Sequence, residues 1–431
     1  MKKYFPEVAL MVPNILLPAQ EVNLKTWSVI ACDQYTSEPD YWDRVHSEVG
    51  EDPSTLRLIF PEVYLESKSR SEAVKEINAN MKKYLEGGLL RSLSPGFVAV
   101  NRKLGSGKIR RGLIVALDLE HYDYRKGARE LIRTTEGTVL DRLPPRIEVR
   151  AKARIEIPHI MVLIDDPDFT VIDPLFEKYS QPVYEGELMS GGGHVAGYHI
   201  SDKKRIELVV SNLCKLKEDS SKMLYAMGDG NHSFATAKAV WESIKEKADY
   251  SQDVMEHPAR YALVELVNLH DHGLDFEPIH RIVFGIETDA LMEAATNFFC
   301  NQEFTWGYQA NENQNHSNGH YIQFCSGNRR GWIRVAKTKS QLVVATLQSF
   351  LDDLMQNNKS ITVDYIHGQK SLEKLANNNK CTGFYLPGLE KDAFFDAIEK
   401  DGPLPRKTFS MGEAEDKRYY VEARVITSKK G

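Results

Sequence analysis

The chain has 431 residues, 42% hydrophobic and 27% charged, an ordinary composition for a globular protein of two or three domains. Its formal net charge of −6 excludes the global basic field that would draw nucleic acid or an acidic membrane. No run approaches the ~18 apolar residues of a membrane span. The start, Met1 to Pro6, lacks the apolar core of a secretory signal, and the five cysteines form no zinc spacing; a cytoplasmic protein with reduced thiols is expected.

The first ~130 residues alternate strand-like and helical patterns. Glu7 to Val12 is an apolar run. Trp27 to Cys32 is another, read as a strand that ends in Asp33-Gln34-Tyr35-Thr36-Ser37. A helix is predicted after Pro39, with Trp42, Val45 and Val49 on one face. The clearest helix spans Ser69 to Leu89, where Ala73, Ile77, Met81 and Leu85 recur every four residues and Gly87-Gly88 stops it. Strands follow at Gly96 to Asn101 and Gly112 to Leu119.

The middle opens on a turn-rich stretch from Arg133 to Thr138. Pro144-Pro145 then starts a charged helix running to about Ile157, with Arg142, Arg146, Arg150 and Arg154 on one face. Ile160 to Ile164 is strand-like, Ser190 to His194 is a glycine-rich turn, and Asp202 to Leu216 is helical. Met223 to Met227 is a buried strand, a polar turn follows, and a helix is predicted from Ser233 to Lys247. Arg260 to Leu269 is a further strand. The last third is again α/β, with helices at Thr288 to Phe299, Val344 to Met355, Ser371 to Ala376 and Lys391 to Lys400. Its strands fall at Tyr321 to Cys325, Trp332 to Val335, Ile361 to Tyr365 and Gly383 to Leu386. The Asn/Gln-rich stretch 309–318 is expected to be a surface loop. The predicted fold class is mixed α/β (α+β), with regions 1–130, 131–287 and 288–431.

The chemistry concentrates in Gly228-Asp229-Gly230-Asn231-His232-Ser233. An apolar strand enters this turn and a helix leaves it, its face marked by Ala237, Val240, Trp241 and Ile244. A helix start presents unpaired N–H groups and the positive end of the helix dipole, and small residues let an oxyanion approach them. Asp229 can hold Mg²⁺, and His232 can donate to a phosphate oxygen. The same residues also suit a plain helix start capped by Asn231 or Ser233, although neither is followed by the Glu or Gln of a capping box.

Cys32 to Ser37 is read the same way. Asp33 or Glu38 can serve as general base, and Thr36 or Ser37 can equally cap the next helix. Arg133, Arg142 and Arg146 can face an anion, as can Arg281 and the Arg406-Lys407 pair in its proline-flanked loop. His194, after three glycines, sits where backbone amides can cradle phosphate. No GK[ST] phosphate loop and no GxGxxG fingerprint is present, which disfavours a standard ATP kinase and a Rossmann enzyme.

The strand and turn at Asp229 resemble the Asp-Gly-His-His-Arg turn of free serine kinases in the ParB/sulfiredoxin-like superfamily. Residues 32–42 (CDQYTSEPDYW), 133–138 (RTTEGT), 141–146 (DRLPPR), 277–285 (EPIHRIVFG) and 405–424 (PRKTFSMGEAEDKRYYVEAR) together resemble the DUF1015 family. Some members of that family are regarded as pyrophosphate-dependent serine kinases. The resemblance implies a ParB/sulfiredoxin-like core elaborated by N- and C-terminal α/β regions. It places Asp229 at the phosphate and Mg²⁺ centre and His232 as a phosphate ligand, supported by Gly230, Asn231 and Ser233. Gln34, Tyr35, Thr36 and Ser37 would then lie on the substrate side. Asn231 and Ser233 depart from the His and Arg of the serine kinase motif, so Arg133, Arg281 or Arg406 would have to supply the missing charge. The activity implied is transfer of a phosphoryl group from pyrophosphate to free L-serine. Its rivals are an ADP- or ATP-dependent small-molecule kinase, a phosphoserine phosphatase, and a ParB-like nucleotide-responsive regulator. The last would need a DNA-reading segment that the sequence does not display.

Overall fold

The computed structural model describes residues 2–428 except 65–68, 126, 139–142, 178–180, 220–222, 250, 309–318 and 378–379. It divides into two units, Met1–Leu274 with Gly412–Gly431, and Asp275–Met411. The predicted mixed α/β class is what is observed. The expected boundary near 130 falls inside the first unit, whose main sheet draws strands from both sides of it. The boundary near 287 falls inside the second unit, just after its first long strand. Both differences have one cause: strand pairing between distant segments leaves no signal in local composition.

The main sheet of the first unit comprises β1 (Phe97–Lys103), β2 (Ile109–Asp118), β3 (Ile132–Arg133), β4 (Met161–Ile164), β5 (Tyr184–Glu187), β6 (His194–Ile200), β7 (Tyr225–Asp229) and β8 (Tyr261–Asn268). They run in the order β5-β6-β1-β2-β8-β4-β7-β3. Leu10–Met11 adds to β2, and Tyr4–Phe5 adds to Leu10–Met11. Pairing is antiparallel except for β8 with β4 and β7 with β3. The central strands are apolar on both faces and both faces are covered, as expected for a sheet buried on two sides.

One face carries a core of Leu113, Val115, Val162, Tyr225, Met227 and Val264. It is closed by helix α5 (Lys203–Asp219) through Ile206, Val209 and Leu213, and by α6 (Asn231–Lys247) through Phe234, Ala237 and Trp241. The other face gathers Val98, Val100, Ile114, Val195 and Leu263 with Ile77, Met81 and Tyr84 of the helix Arg70–Glu86. Each such side chain, fully buried, contributes roughly 1.5–3 kcal/mol. The expected helix there is present, but Val74 and Tyr84 are buried in place of Ala73 and Leu85, because a 3.6-residue turn drifts off a strict four-residue spacing.

Several other elements differ from expectation. Trp27 to Cys32 is not a strand: Leu24–Trp27 is a helical turn. Val29 and Ala31 satisfy their backbone against the returning C-terminal segment, Tyr419 N–H to Val29 O at 3.0 Å and Ala31 N–H to Lys417 O at 2.8 Å. The charged helix, Leu143–Arg150, ends short of Arg154; Ile155–Glu156 instead pairs with Arg424–Val425. The strands β5 and β6, which flank the glycine-rich turn, were not signalled by the sequence.

The second unit holds a seven-stranded sheet that includes Phe276–Phe284, Phe304–Tyr308, His320–Ser326, Arg329–Val335, Thr362–His367 and Cys381–Tyr385. The helices Thr288–Phe298 and Val343–Asn357 pack on one face through Leu291, Phe299, Leu347 and Phe350. Leu372 and Ala376 cover Ile282 and Cys325. The expected loop 309–318 and Arg142 lie outside the described residues.

Candidate active site

β7 pairs with β4 through Met227 opposite Val162, and then Asp229, not Gly228, stands opposite Met161. Gly228 is the extra residue of a β-bulge, a device that re-aims a side chain. Met227 and Val162 both belong to the core beneath α6. Plain alternation would send Asp229 into that core after Met227. The bulge turns it to the opposite face beside Met161. A Cβ on Gly228 would meet Met161 Cγ and Leu163 Cγ at 3.2 Å, so glycine suits the tight crossing.

The strand therefore runs to Asp229 and the helix begins at Asn231, two residues earlier than predicted. Gly230, at φ +82°, is the N-cap of α6 and has no side chain with which to cap it. A Cβ there would lie 3.1 Å from Ile160 Cα. Asp229 Oδ1 accepts from Gly230 N–H at 2.9 Å, and its Oδ2 lies 3.8 Å from Lys417 Nζ. Asn231 and Ser233 are engaged elsewhere. Asn231 Oδ1 accepts from Thr134 Oγ1 at 2.7 Å and from Thr135 N–H at 3.3 Å. Thr135 Oγ1 donates to Met227 O at 2.8 Å. Thus the 133–138 stretch braces the turn. Ser233 Oγ lies 3.2 Å from His159 Nε2. His232 is half-buried in the first turn of α6.

Asp33 reaches the same place from the segment before α2 (Pro39–Val49). Burial pushes its carboxyl up, but His159, the Gln34 amide, Arg146 and Lys417 outweigh burial and hold it below the usual carboxylate range. Gln34 Nε2 donates to Asp33 Oδ1 at 3.1 Å. Burial drives the His159 imidazole down, Asp33 and Asp229 push it back up, and the outcome is a lowered value. His159 is therefore neutral at pH 7. The Cys32 thiol is pushed up to about 12 by burial and Asp33, which makes it a poor nucleophile. Arg146 forms an ion pair with Glu62. Tyr35, at φ +50°, stacks on Tyr41 at 4.0 Å and donates to Glu415.

The structure thus gathers Asp33, Gln34, Arg146, Asn231, Ser233 and Asp229 around His159 and Lys417. Glu38 is exposed at the N-cap of α2 without capping it, and Thr36 and Ser37 are exposed beside it. Arg133 is buried in β3, its Nε donating to Glu130 O at 2.6 Å. His194 stands at the start of β6, 3.3 Å from Glu185 on β5, with four strands between β6 and β7 in the sheet order. Arg281 belongs to the second unit and is fully buried. Its guanidinium donates to Gln348 Oε1, Ile279 O and Arg406 O and lies 4.6 Å from the centre of the Tyr365 ring, so it is spent on that unit's interior. Arg406 and Lys407 are exposed in the same unit.

Sequence reading missed His159 and Lys417. His159 stands two residues before β4, the strand antiparallel to β7, and its place before an apolar run is the signal the sequence offers. Lys417 lies within the 405–424 stretch, where Arg406-Lys407 drew attention instead.

A family model described as "Protein of unknown function (DUF1015)" matches residues 15–354, and the chain belongs to that family. No curated protein matches it. Similar solved structures include a conserved hypothetical protein from Pyrococcus furiosus, at 11% identity and TM-score 0.36, covering 69% of this chain and 90% of that one. A free serine kinase in complex with AMP aligns at 9% identity and TM-score 0.39, covering 73% and 91%. A truncated SbnI from Staphylococcus aureus aligns at 11% identity and TM-score 0.35, covering 73% and 83%.

Proposed function

We propose that this protein is a small-molecule kinase that transfers a phosphoryl group from pyrophosphate to the hydroxyl of L-serine, giving O-phospho-L-serine. The observation that carries the reading is the bulge at Gly228. It delivers Asp229 beside a helix start whose N-cap is a glycine, in the electrostatic neighbourhood of a second carboxylate, Asp33, and of Lys417.

In this reading the serine oxygen attacks the terminal phosphorus. One P–O bond forms, the bridging P–O bond breaks, and inorganic phosphate leaves. Asp33, ionised at neutral pH, takes the hydroxyl proton. The amides at the start of α6, with His232, Lys417 and Arg146, stabilise charge on the moving group. No group of three ligating side chains comes together among the described residues, so these form no closed metal cage. A Mg²⁺ held by one or two carboxylates and donor phosphates fits a part-exposed Asp229; there it would neutralise donor charge.

Purified protein incubated with L-serine, Mg²⁺ and each of pyrophosphate, ADP and ATP, followed by phosphorus NMR, tests the reading. Phosphoserine with pyrophosphate is expected. Its absence with all three donors rejects the kinase assignment.

A further inference from the structure

A hydroxyl inside a helix ordinarily bonds back to its own backbone. Thr236 of α6 does so, its Oγ1 donating to His232 O at 2.7 Å. Ser233, in the first turn of the same helix, is drawn outward instead, its Oγ 3.2 Å from His159 Nε2. His159 is fixed from several sides for that contact. The carbonyls that flank it are both taken: Tyr420 N–H donates to Pro158 O at 2.8 Å, and Glu265 N–H to Ile160 O at 3.0 Å. Ile160 lies against the helix N-cap, its Cα 3.1 Å from where a Cβ on Gly230 would stand. The ring itself is 9% exposed and meets Tyr419 edge-on at 4.8 Å.

A serine hydroxyl has one proton and two acceptor lone pairs. If it donates to the imidazole, only lone pairs are left, and these repel a phosphate oxygen. If the imidazole N–H donates to it, the hydroxyl proton is kept for that oxygen. We propose that His159 is a positioning residue for the phosphoryl donor: Nε2–H donates to Ser233 Oγ, and the Ser233 hydroxyl donates to a phosphate oxygen at the start of α6. Both the Nε2–H tautomer of the neutral ring and the imidazolium supply that donor, so the arrangement does not depend on the ring's titration. The proposal rests on the kinase reading in taking the bound anion to be pyrophosphate.

The position of the pair fits as well. His159 lies in the electrostatic neighbourhood of both Asp33 and Asp229, the proposed base and the proposed Mg²⁺ ligand. The first turn of α6 is set from two sides: Thr134 and Thr135 engage Asn231, and His159 engages Ser233. A hydroxyl oriented before the donor arrives loses less freedom on binding it.

Calorimetry on the full chain with Mg²⁺ and imidodiphosphate, a pyrophosphate with nitrogen at its bridge, reads donor binding apart from transfer. Steady-state phosphoserine formation reads KM for pyrophosphate and kcat. Ser233→Ala and His159→Phe are each expected to weaken imidodiphosphate binding by roughly ten- to a hundredfold, the scale of one hydrogen bond to a charged group, the loss falling on KM rather than kcat. The double variant is expected to bind no more weakly than Ser233→Ala alone, because the two residues act as a unit. His159→Gln, which brings an amide N–H to the same place, is expected to recover most of the binding. Unaltered binding in Ser233→Ala, losses that add in the double variant, or a folded His159→Gln as weak as His159→Phe overturns the proposal; if His159→Phe fails to fold, Ser233→Ala and His159→Gln decide. Imidodiphosphate binding that depends on the pair, without phosphoserine from any donor, would sink the kinase reading alone. Phosphoserine formation with an unchanged KM for pyrophosphate in Ser233→Ala would sink the positioning role alone. Neither binding nor turnover in the native chain would remove both.

Discussion

Asp229 and Glu265 stand opposite the same residue, Met161, from the two strands that flank it. One lies at the proposed phosphate, the other in a buried ion pair with Arg110.

The two carboxylates of the proposed centre carry different duties. Asp33→Asn removes the base and is expected to lower kcat for phosphoserine formation by roughly 10²–10⁴-fold, with little change in the far-ultraviolet circular dichroism. Asp229→Asn is expected to cost a comparable factor and to raise the Mg²⁺ concentration needed for half-maximal rate. A steady-state rate unchanged in either variant removes that residue from the mechanism.

Lys417 helps hold Asp33 ionised. Lys417→Met therefore raises the pH at which Asp33 takes up its proton, and the acid limb of kcat/KM against pH moves upward. Asp33 is active as base only when deprotonated, so the variant loses most at mildly acid pH. An acid limb that stays in place separates Lys417 from Asp33.

Arg102 is a buried cation, lowered to about 9 chiefly by burial and by Arg110, with two unpaired donors. Arg102→Met is expected to match or exceed the native protein in urea denaturation, because an apolar replacement removes an uncompensated charge. The reverse holds for Gly112→Ala. A Cβ there would lie 2.2 Å from Glu265 Oε1, forcing Glu265 away from Arg110. Breaking such a buried pair costs about 3–5 kcal/mol, visible as a lower denaturation midpoint.

Glu422 is raised from its ordinary 4.5 to about 7, mainly by burial, with Glu265 adding to the rise and the Tyr184 hydroxyl opposing it. Arg102 and Arg418 line the same small cavity as Glu422. The folded protein thus holds this proton where the unfolded chain has released it. Stability from this group is full below pH 4.5 and falls as pH rises towards 7, by roughly 3 kcal/mol. Glu422→Gln is expected to flatten that fall in denaturation measured from pH 4.5 to 8. A profile identical to the native one contradicts the assignment.

Much of the local architecture was legible. The helix after Pro39, the long helix ending at Glu86 and the strand–turn–helix at Asp229 follow from periodicity, proline and glycine. The gathering of residues 32–38, 133–138 and 229–233 was legible only as motifs in a fixed order. The bulge at Gly228 was not, because one extra residue in a ladder shows only when the partner strand is known. Lys417 and His159 stayed hidden for a similar reason: their roles come from long-range pairing, Ala31 with Lys417 and β4 with β7. Arg281 reads in sequence as a cation able to face phosphate, yet Gln348 and two backbone carbonyls claim it inside the second unit.

The first unit closes only with Gly412–Gly431, after the chain has passed through the whole of the second. Lys417, Tyr419 and Glu422 thus leave the ribosome only after the whole of the second unit. A nascent chain can assemble most of the sheet early in translation, yet the proposed centre lacks Lys417 until the second unit has been made. Termination anywhere in the second unit would yield a protein that folds in part and lacks Lys417 of the proposed centre.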